Sequence, residues 1–324
     1  MKELYMKEIN MVINKFLIKI IVLFFFNFLI FQTSTQSLEN KILYKIDNKI
    51  ITSIDIKEEI NYLIVLNPSL KKLSKSEIIE ISKKSLIKEK IKEIEILKNF
   101  EKPDVPDEIL EQFIKNIYFN IGFSNLSEFQ NYLKSNQVDF NEVKSKIQIE
   151  VLWNELIVYK FSNKLKIDEE KIRDKVKNNF NKKSKSYLLS EILFEVSKDE
   201  NLNEKYIMIS KSISDTGFNN TALIYSISES ANIGGKLGWI DGKSLNEKIS
   251  NELISLKNKE ITKPIRVPGG FLILQVNDTK FIKNNDDIEK EISKTIKVSQ
   301  NNQYKQFSKL YFNRIKKNME INEI

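Results

Sequence analysis

The sequence predicts an α+β fold in which helices dominate, and three observations carry that expectation. Over most of the 324 residues, apolar side chains recur at helical spacing between Lys and Glu. Of the eight glycines only Gly122 lies outside the stretch from Gly217 to Gly270. That stretch is bracketed by "SYLLSEILFEV" (186–196) and "GGFLILQVND" (269–278), whose alternation and β-branched or aromatic content read as strands. Together they describe a helical block into which a compact α+β unit, a small antiparallel sheet flanked by helices, is inserted.

The elements follow in order. Ile42–Ile46 and Lys49–Ile51 are short β-branched runs around Asp47-Asn48, which suits a hairpin. Thr52 with Asp55 is a capping-box pattern, and Ile56, Ile60, Leu63 and Ile64 then share a helical face. A second helix opens at Ser74 with Glu77 and carries Ile78, Ile81, Ile87, Ile91, Ile94 and Leu97 to about Phe100. Pro103 and Pro106 break it. Pro106 also suits the first turn of the next helix, through about Phe119, because a missing N–H costs nothing there. Further helices are expected over Ser127–Lys134, from Asp139 and Glu142 past Trp153 to about Lys164, and from Asp168 to about Phe180. Inside the glycine-rich unit, Ile207–Ile213, Thr221–Tyr225 and Leu245–Leu256 read as helices. After Lys283 the residues Ile288, Ile292, Ile296, Tyr304, Phe307, Leu310, Tyr311 and Ile315 stand at helical spacings. A stripe that apolar needs a partner surface, expected to be the N-terminal helical block.

Composition excludes several chemistries. Net charge is +8, yet only Arg173, Arg266 and Arg314 are arginines among 52 basic residues, and Lys alternates with Glu along most helices. That is a solvated surface and not the arginine-rich face of a nucleic-acid reader, so no nucleic-acid partner is expected. With no Cys there is no disulfide or thiolate chemistry, and with no His the commonest general base and metal ligand is missing. Ser228 therefore lacks a histidine to activate it as a nucleophile. The acidic pairs Asp286-Asp287 and Glu169-Glu170 sit at helix starts, where the helix dipole accounts for them. No metal, cofactor or nucleotide site is expected, and no phosphate-cradling glycine loop is present.

Residues 1–37 have the layout of an export signal. The uncharged run Ile20–Phe31 follows Lys15 and Lys19 and precedes "QTSTQS", with Thr35-Gln36-Ser37 as the small-x-small cleavage site. Counted from Phe16 the run approaches the length of a membrane span, so removal by signal peptidase and retention as an inner-membrane anchor both stay open. With no Cys behind the run, a lipoprotein anchor is not expected. In either case the rest of the chain is expected to work in the periplasm, without ATP. A membrane-tethered assembly or scaffold protein is the reading that retention would favour.

The segments "SYLLSEILFEV", "YSISESANIGGKLGWIDG" and "LKNKEITKPIRVPGGFLILQVND" resemble, in order and spacing, the landmarks of parvulin-type peptidyl-prolyl isomerases. The strand-turn-helix opening after residue 40 and the helical run to Phe180 resemble the N-terminal domain of SurA-type periplasmic chaperones. The resemblance implies a helical chaperone domain at 38–183, a parvulin-like domain at 184–281 and a C-terminal helix at 282–324 that packs on the first. It also implies that the glycines of "ANIGGKLGWIDG" shape tight turns beside a groove, with Leu-Gly-Trp leading into a strand that lines it.

Rotating an X-Pro amide works against a barrier of about 18–20 kcal/mol. A catalyst holds the prolyl ring in an apolar pocket, excludes water and offers polar groups to the twisted form. Parvulins supply two histidines, a Cys or Asp, and a pocket with Met or Leu and Phe. By resemblance the first histidine position is Glu191, the second Leu272, and the Cys or Asp position Ser228. Leu245 keeps the large apolar residue and Ile249 stands at the Phe position. Leu237, Trp239, Leu245, Ile249 and Phe271 are the expected groove. The implied function is an exported, ATP-independent chaperone of unfolded envelope or outer-membrane proteins, its groove retained and its catalytic positions substituted. The alternative is an active, slow or non-standard, isomerase acting on X-Pro peptides of the same clients.

Overall fold

The structure, a computed structural model, describes residues 40–179, 184–197, 199–282 and 287–324. The run Ile20–Phe31 and the Thr35–Ser37 site lie outside them. In chain order the elements are strands β1 (Ile42–Ile46) and β2 (Lys49–Thr52), then helices α1 (Ser53–Leu66), α2 (Lys75–Asn99), α3 (Asp107–Ile121), α4 (Leu126–Ser135), α5 (Phe140–Phe161) and α6 (Glu169–Asn179). Strand β3 (Ser184–Phe194) follows, then α7 (Leu202–Thr216), α8 (Phe218–Tyr225), β4 (Lys236–Asp241), α9 (Glu247–Ile254), β5 (Ile265–Val267) and β6 (Gly270–Ile282). The long α10 (Ile288–Asn318) and β7 (Ile321–Glu323) close the chain. Among the described residues no helix is long and apolar enough to cross a membrane.

Several helix starts carry side-chain caps. Asp55 N donates to Thr52 Oγ1 at 3.2 Å while Thr52 N donates to Asp55 Oδ2 at 2.7 Å, and Ser74 with Glu77 repeats the exchange at the head of α2. Pro106 stands one residue earlier than its predicted place, as the N-cap of α3. Gly122, at φ +106, ends that helix in a conformation side-chain-bearing residues avoid. Asp287 caps α10 by accepting from Glu289 N at 3.1 Å.

The helical block is closed by the end of the chain. Phe129, Leu133, Val143, Leu152, Trp153, Leu156 and Ile157 form its core together with Tyr311 of α10. Trp153 Nε1 donates to Ser308 Oγ at 2.8 Å, Tyr311 stacks on the indole at 5.8 Å, and Phe307 stacks on Phe161 at 5.0 Å. The expected return of the C-terminal helix is thus observed. Beyond that helix the chain makes a pairing that the sequence does not predict: β7 lies antiparallel to β1, giving the sheet order β2-β1-β7. Three residues are too short to show a period, and their partner lies at the other end of the chain.

Between α1, α2 and α5 lies a charged cluster. Lys146 Nζ donates to Glu59 Oε2 at 2.8 Å and Glu89 Oε2 at 2.5 Å, with Glu142 at 3.9 Å and the Tyr62 ring at 5.0 Å. Burial opposes charge on Lys146, but the carboxylates of Glu59 and Glu89 outweigh it and hold its pKa above the usual lysine value. Burial also pushes Glu142 upward, with Lys146 opposing.

The inserted unit is built on a four-stranded antiparallel sheet of order β4-β3-β6-β5. On one face Ile192, Phe194 and Ile273 meet Ile209 of α7 and Phe218 and Ala222 of α8. On the other, Tyr187, Leu189, Leu272, Leu274 and Val276 meet Leu253 of α9. The unit meets the helical block through α8: Leu223 and Ile224 pack on Leu70, Leu73, Ile78 and Ile81. At this junction Ser69 Oγ donates to Asn220 Oδ1 at 2.9 Å, and Asn220 Nδ2 returns a bond to Ser69 O at 3.0 Å.

Candidate functional site

Glu191 lies in the middle of β3, and the cross-strand register Glu191↔Leu274 and Leu193↔Leu272 puts its side chain on the α9 side of the sheet. The chain leaving α8 runs beside the same strand: Ile227 N donates to Leu193 O and Glu191 N donates to Gly235 O, both at 2.7 Å. These two bonds carry the serines of "SISES" to the carboxylate. Ser228 Oγ donates to Glu191 Oε1, as does Ser230 Oγ at 2.8 Å, and the two hydroxyl oxygens are 3.1 Å apart. The structure therefore brings Glu191 and Ser228 together. It adds Ser230, which sequence reasoning missed although its i, i+2 spacing from Ser228 before the glycine turn was visible.

The turn that makes this approach possible depends on Gly235. Its φ is +76, and a Cβ there would stand 2.2 Å from Glu191 O. Gly235→Ala should destabilise the inserted unit by about 2 kcal/mol or more, because the strained conformation and the overlap act together. The measurement is the urea midpoint followed by Trp239 fluorescence in a Trp153→Phe background. A midpoint within error of the parent would refute the close packing of this turn.

Leu272 lies one strand over on the same face, buried, with Leu237, Leu245 and Ile249 half-buried around it. Asn246 Oδ1 accepts from Ile249 N at 2.8 Å, an N-cap that sets α9 across this face. Three sequence-predicted groove residues thus stand on the side of Glu191 and Leu272. The other two do not. Phe271, adjacent to Leu272 in an extended strand, points to the opposite face and packs on Phe194 at 6.0 Å between ring centres.

Trp239 departs for a different reason. Strict alternation would place Leu237 and Trp239 together, but β4 carries a bulge: Leu189 pairs with Gly238 and Ser190 with Lys236, and Gly238 sits at φ +80. The extra residue inverts the alternation, so that Leu237 and Ile240 share the α9 side while Trp239 pairs with Leu188 on the other. There the indole is 42% exposed with Lys280 Nζ 4.1 Å from the ring centre.

Lys309 reaches the unit from α10. It donates to Gly269 O at 2.6 Å in the β5–β6 turn and stands 3.9 Å from Glu195. Desolvation lowers its pKa, opposed by the fields of Glu195 and Glu191. A separate cavity, lined among others by Phe271, Arg266, Glu195 and Lys205, opens beside that turn and not at Ser228.

What this arrangement can do is limited by its groups. No imidazole exists anywhere in the chain. A twisted prolyl amide placed against Leu272 would meet aliphatic carbons at that end, and a carboxylate with two hydroxyls at the other.

Residues 191–278 match the family model of the PPIC-type PPIASE domain, Rotamase. The chain is similar to the Chaperone SurA of Pseudomonas putida, 25% identical over 189 residues that cover 54% of this chain and 43% of that one. It is also similar to the Chaperone SurA of Nitrosospira multiformis, 26% identical over 200 residues, covering 59% and 44%. The chain spans less than half the length of these curated relatives. A solved structure of the structurally related SurA-like chaperones PEB4 and Cj1289 of Campylobacter jejuni aligns at 16% identity and TM-score 0.35, covering 88% of this chain and 99% of that one.

Proposed function

We propose that this chain, similar to SurA chaperones and carrying a PPIC-type domain, is an exported chaperone that holds unfolded envelope proteins without ATP and without efficient prolyl isomerisation. The observation that supports the proposal is the pairing of Glu191 with Ser228 on the sheet face that carries Leu272: a hydrogen-bonded carboxylate and a leucine occupy the positions where the resemblance implies imidazoles. We take residues 38–183 with 282–324 as the chaperone domain and 184–281 as the inserted one. Unfolded outer-membrane proteins and X-Pro-containing segments are the proposed partners, and the periplasm the proposed compartment.

Exposed apolar side chains on the helical block support the holding role. Phe113 and Phe119 of α3 are 43% and 52% exposed, and Tyr159 of α5 is 73% exposed against Phe100. Aromatic groups on an open surface supply anchoring for extended clients without demanding one sequence.

Two assays run side by side test the proposal: isomerisation of an X-Pro peptide, and aggregation of an unfolded outer-membrane protein. Suppressed aggregation with isomerisation at the uncatalysed rate, tens to hundreds of seconds, is the expected result. Isomerisation well above background would establish the alternative, an isomerase that works without histidine. Failure to suppress aggregation would reject the chaperone.

A further inference from the structure

On the α9 side of the sheet the carboxylate of Glu191 forms no ion pair with a described residue. Both hydrogen bonds that Glu191 accepts fall on Oε1, from Ser228 and Ser230. Among the described residues no cation stands within ion-pair distance of it, and both bonds fall on the same oxygen. The lysine nearest in effect, Lys309, is committed elsewhere, to the Gly269 carbonyl and to Glu195. Two hydroxyls thus orient the carboxylate through Oε1, on the sheet face that also carries Leu237, Leu245 and Ile249.

We infer that Glu191 is a specificity residue: it selects extended segments in which a lysine or arginine neighbours the apolar or prolyl residue held against Leu237, Leu245, Ile249 and Leu272. The inference rests on the groove reading under the proposed function and adds the chemistry of the occupant. Local charge complementarity in a partly desolvated setting supplies the preference. A carboxylate half-removed from water gains more from an ammonium or guanidinium partner than an exposed one does, and it repels an acidic residue at the same place.

The long-range field makes the test discriminating. With a net charge of +8, the chain as a whole attracts acidic peptides and repels basic ones. A preference for a basic neighbour must therefore arise at a local site, against the overall sign.

The experiment uses the full chain and three labelled peptides, Ala-Leu-X-Pro-Leu-Ala with X as Lys, Ala or Glu, measured by fluorescence anisotropy. At low ionic strength the order should be Lys tighter than Ala tighter than Glu, with about five- to tenfold between the extremes. Glu191→Gln should reduce that spread to less than about twofold. Raising salt from about 20 to about 300 mM on the unaltered protein should narrow the same spread, a readout that needs no variant. Equal affinity for the Lys and Glu peptides, or a preference that survives Glu191→Gln in a folded protein, overturns the inference while leaving the groove. Binding of none of the three overturns the groove reading itself and the inference with it.

Discussion

Trp153→Ala should destabilise the helical block by about 3–5 kcal/mol, the range for emptying a large aromatic site in a core. The indole is fully buried, donates to Ser308, and contacts Tyr311 and Phe312 of α10. Lys92 Nζ lies 5.4 Å from its ring centre and is itself held by Glu150. Truncation opens a cavity where a helix from residue 288 onward meets one from residue 140, so the loss falls on the closure of the block by the chain end. Far-UV circular dichroism in guanidinium is the measurement, since Trp239 is then the one tryptophan left. Trp153→Phe should recover more than half of the loss by keeping the stacking area. A loss below about 1 kcal/mol for the alanine variant would mean that α10 is not part of this core.

The second large effect is expected at Lys146. Lys146→Met should cost about 3–5 kcal/mol near pH 8, because it leaves the carboxylates of Glu59 and Glu89 without their cation in the interior. Glu59 is 1% exposed and its second oxygen, Oε1, has no hydrogen-bond partner among the described residues, so it has no other source of compensation. The pH dependence has a definite sign. Glu142 already has a raised pKa from burial, with Lys146 opposing the rise, and removing the lysine lifts it further. A carboxyl whose folded pKa exceeds its unfolded value adds stability below the unfolded pKa and loses it as pH rises through the folded one. The deficit of Lys146→Met should therefore be smaller at about pH 4 than at about pH 8. Adding Glu59→Gln should restore part of the stability by removing a buried charge. An unchanged deficit across that range would dissociate the lysine from its carboxylates.

Both sites show where sequence reading stops. Tyr311 was readable from helical spacing as part of an apolar stripe, and its docking on the helical block followed from the need of that stripe for a surface, whereas its meeting with Trp153 is seen only in the structure. Lys146, Glu59 and Glu89 were not readable, because a Lys and two Glu on three helices look the same in sequence whether they face water or one another. Burial of charge is decided by how the helices rotate against each other, which no local pattern records.

In the candidate site the division is similar. The alternating strands, the glycine turn, the capping residues and the absence of histidine are properties of the chain as written, and they determined by themselves the fold class, most of the helices and the groups missing from any prolyl catalysis. Whether Phe271 could share a face with Leu272 was already settled by the two-residue period of a strand. The place of Trp239 was not, since one extra residue, Leu237 beside Gly238, shifts the alternation, and that bulge exists only as a mismatch between two paired strands. The union of Ser230 with Glu191 and the pairing of β7 with β1 likewise belong to the tertiary structure. Periodicity is a relation among neighbours in the chain. Register, burial and hydrogen-bond partnership are relations across space, set by the lowest-energy way of packing all the faces at once.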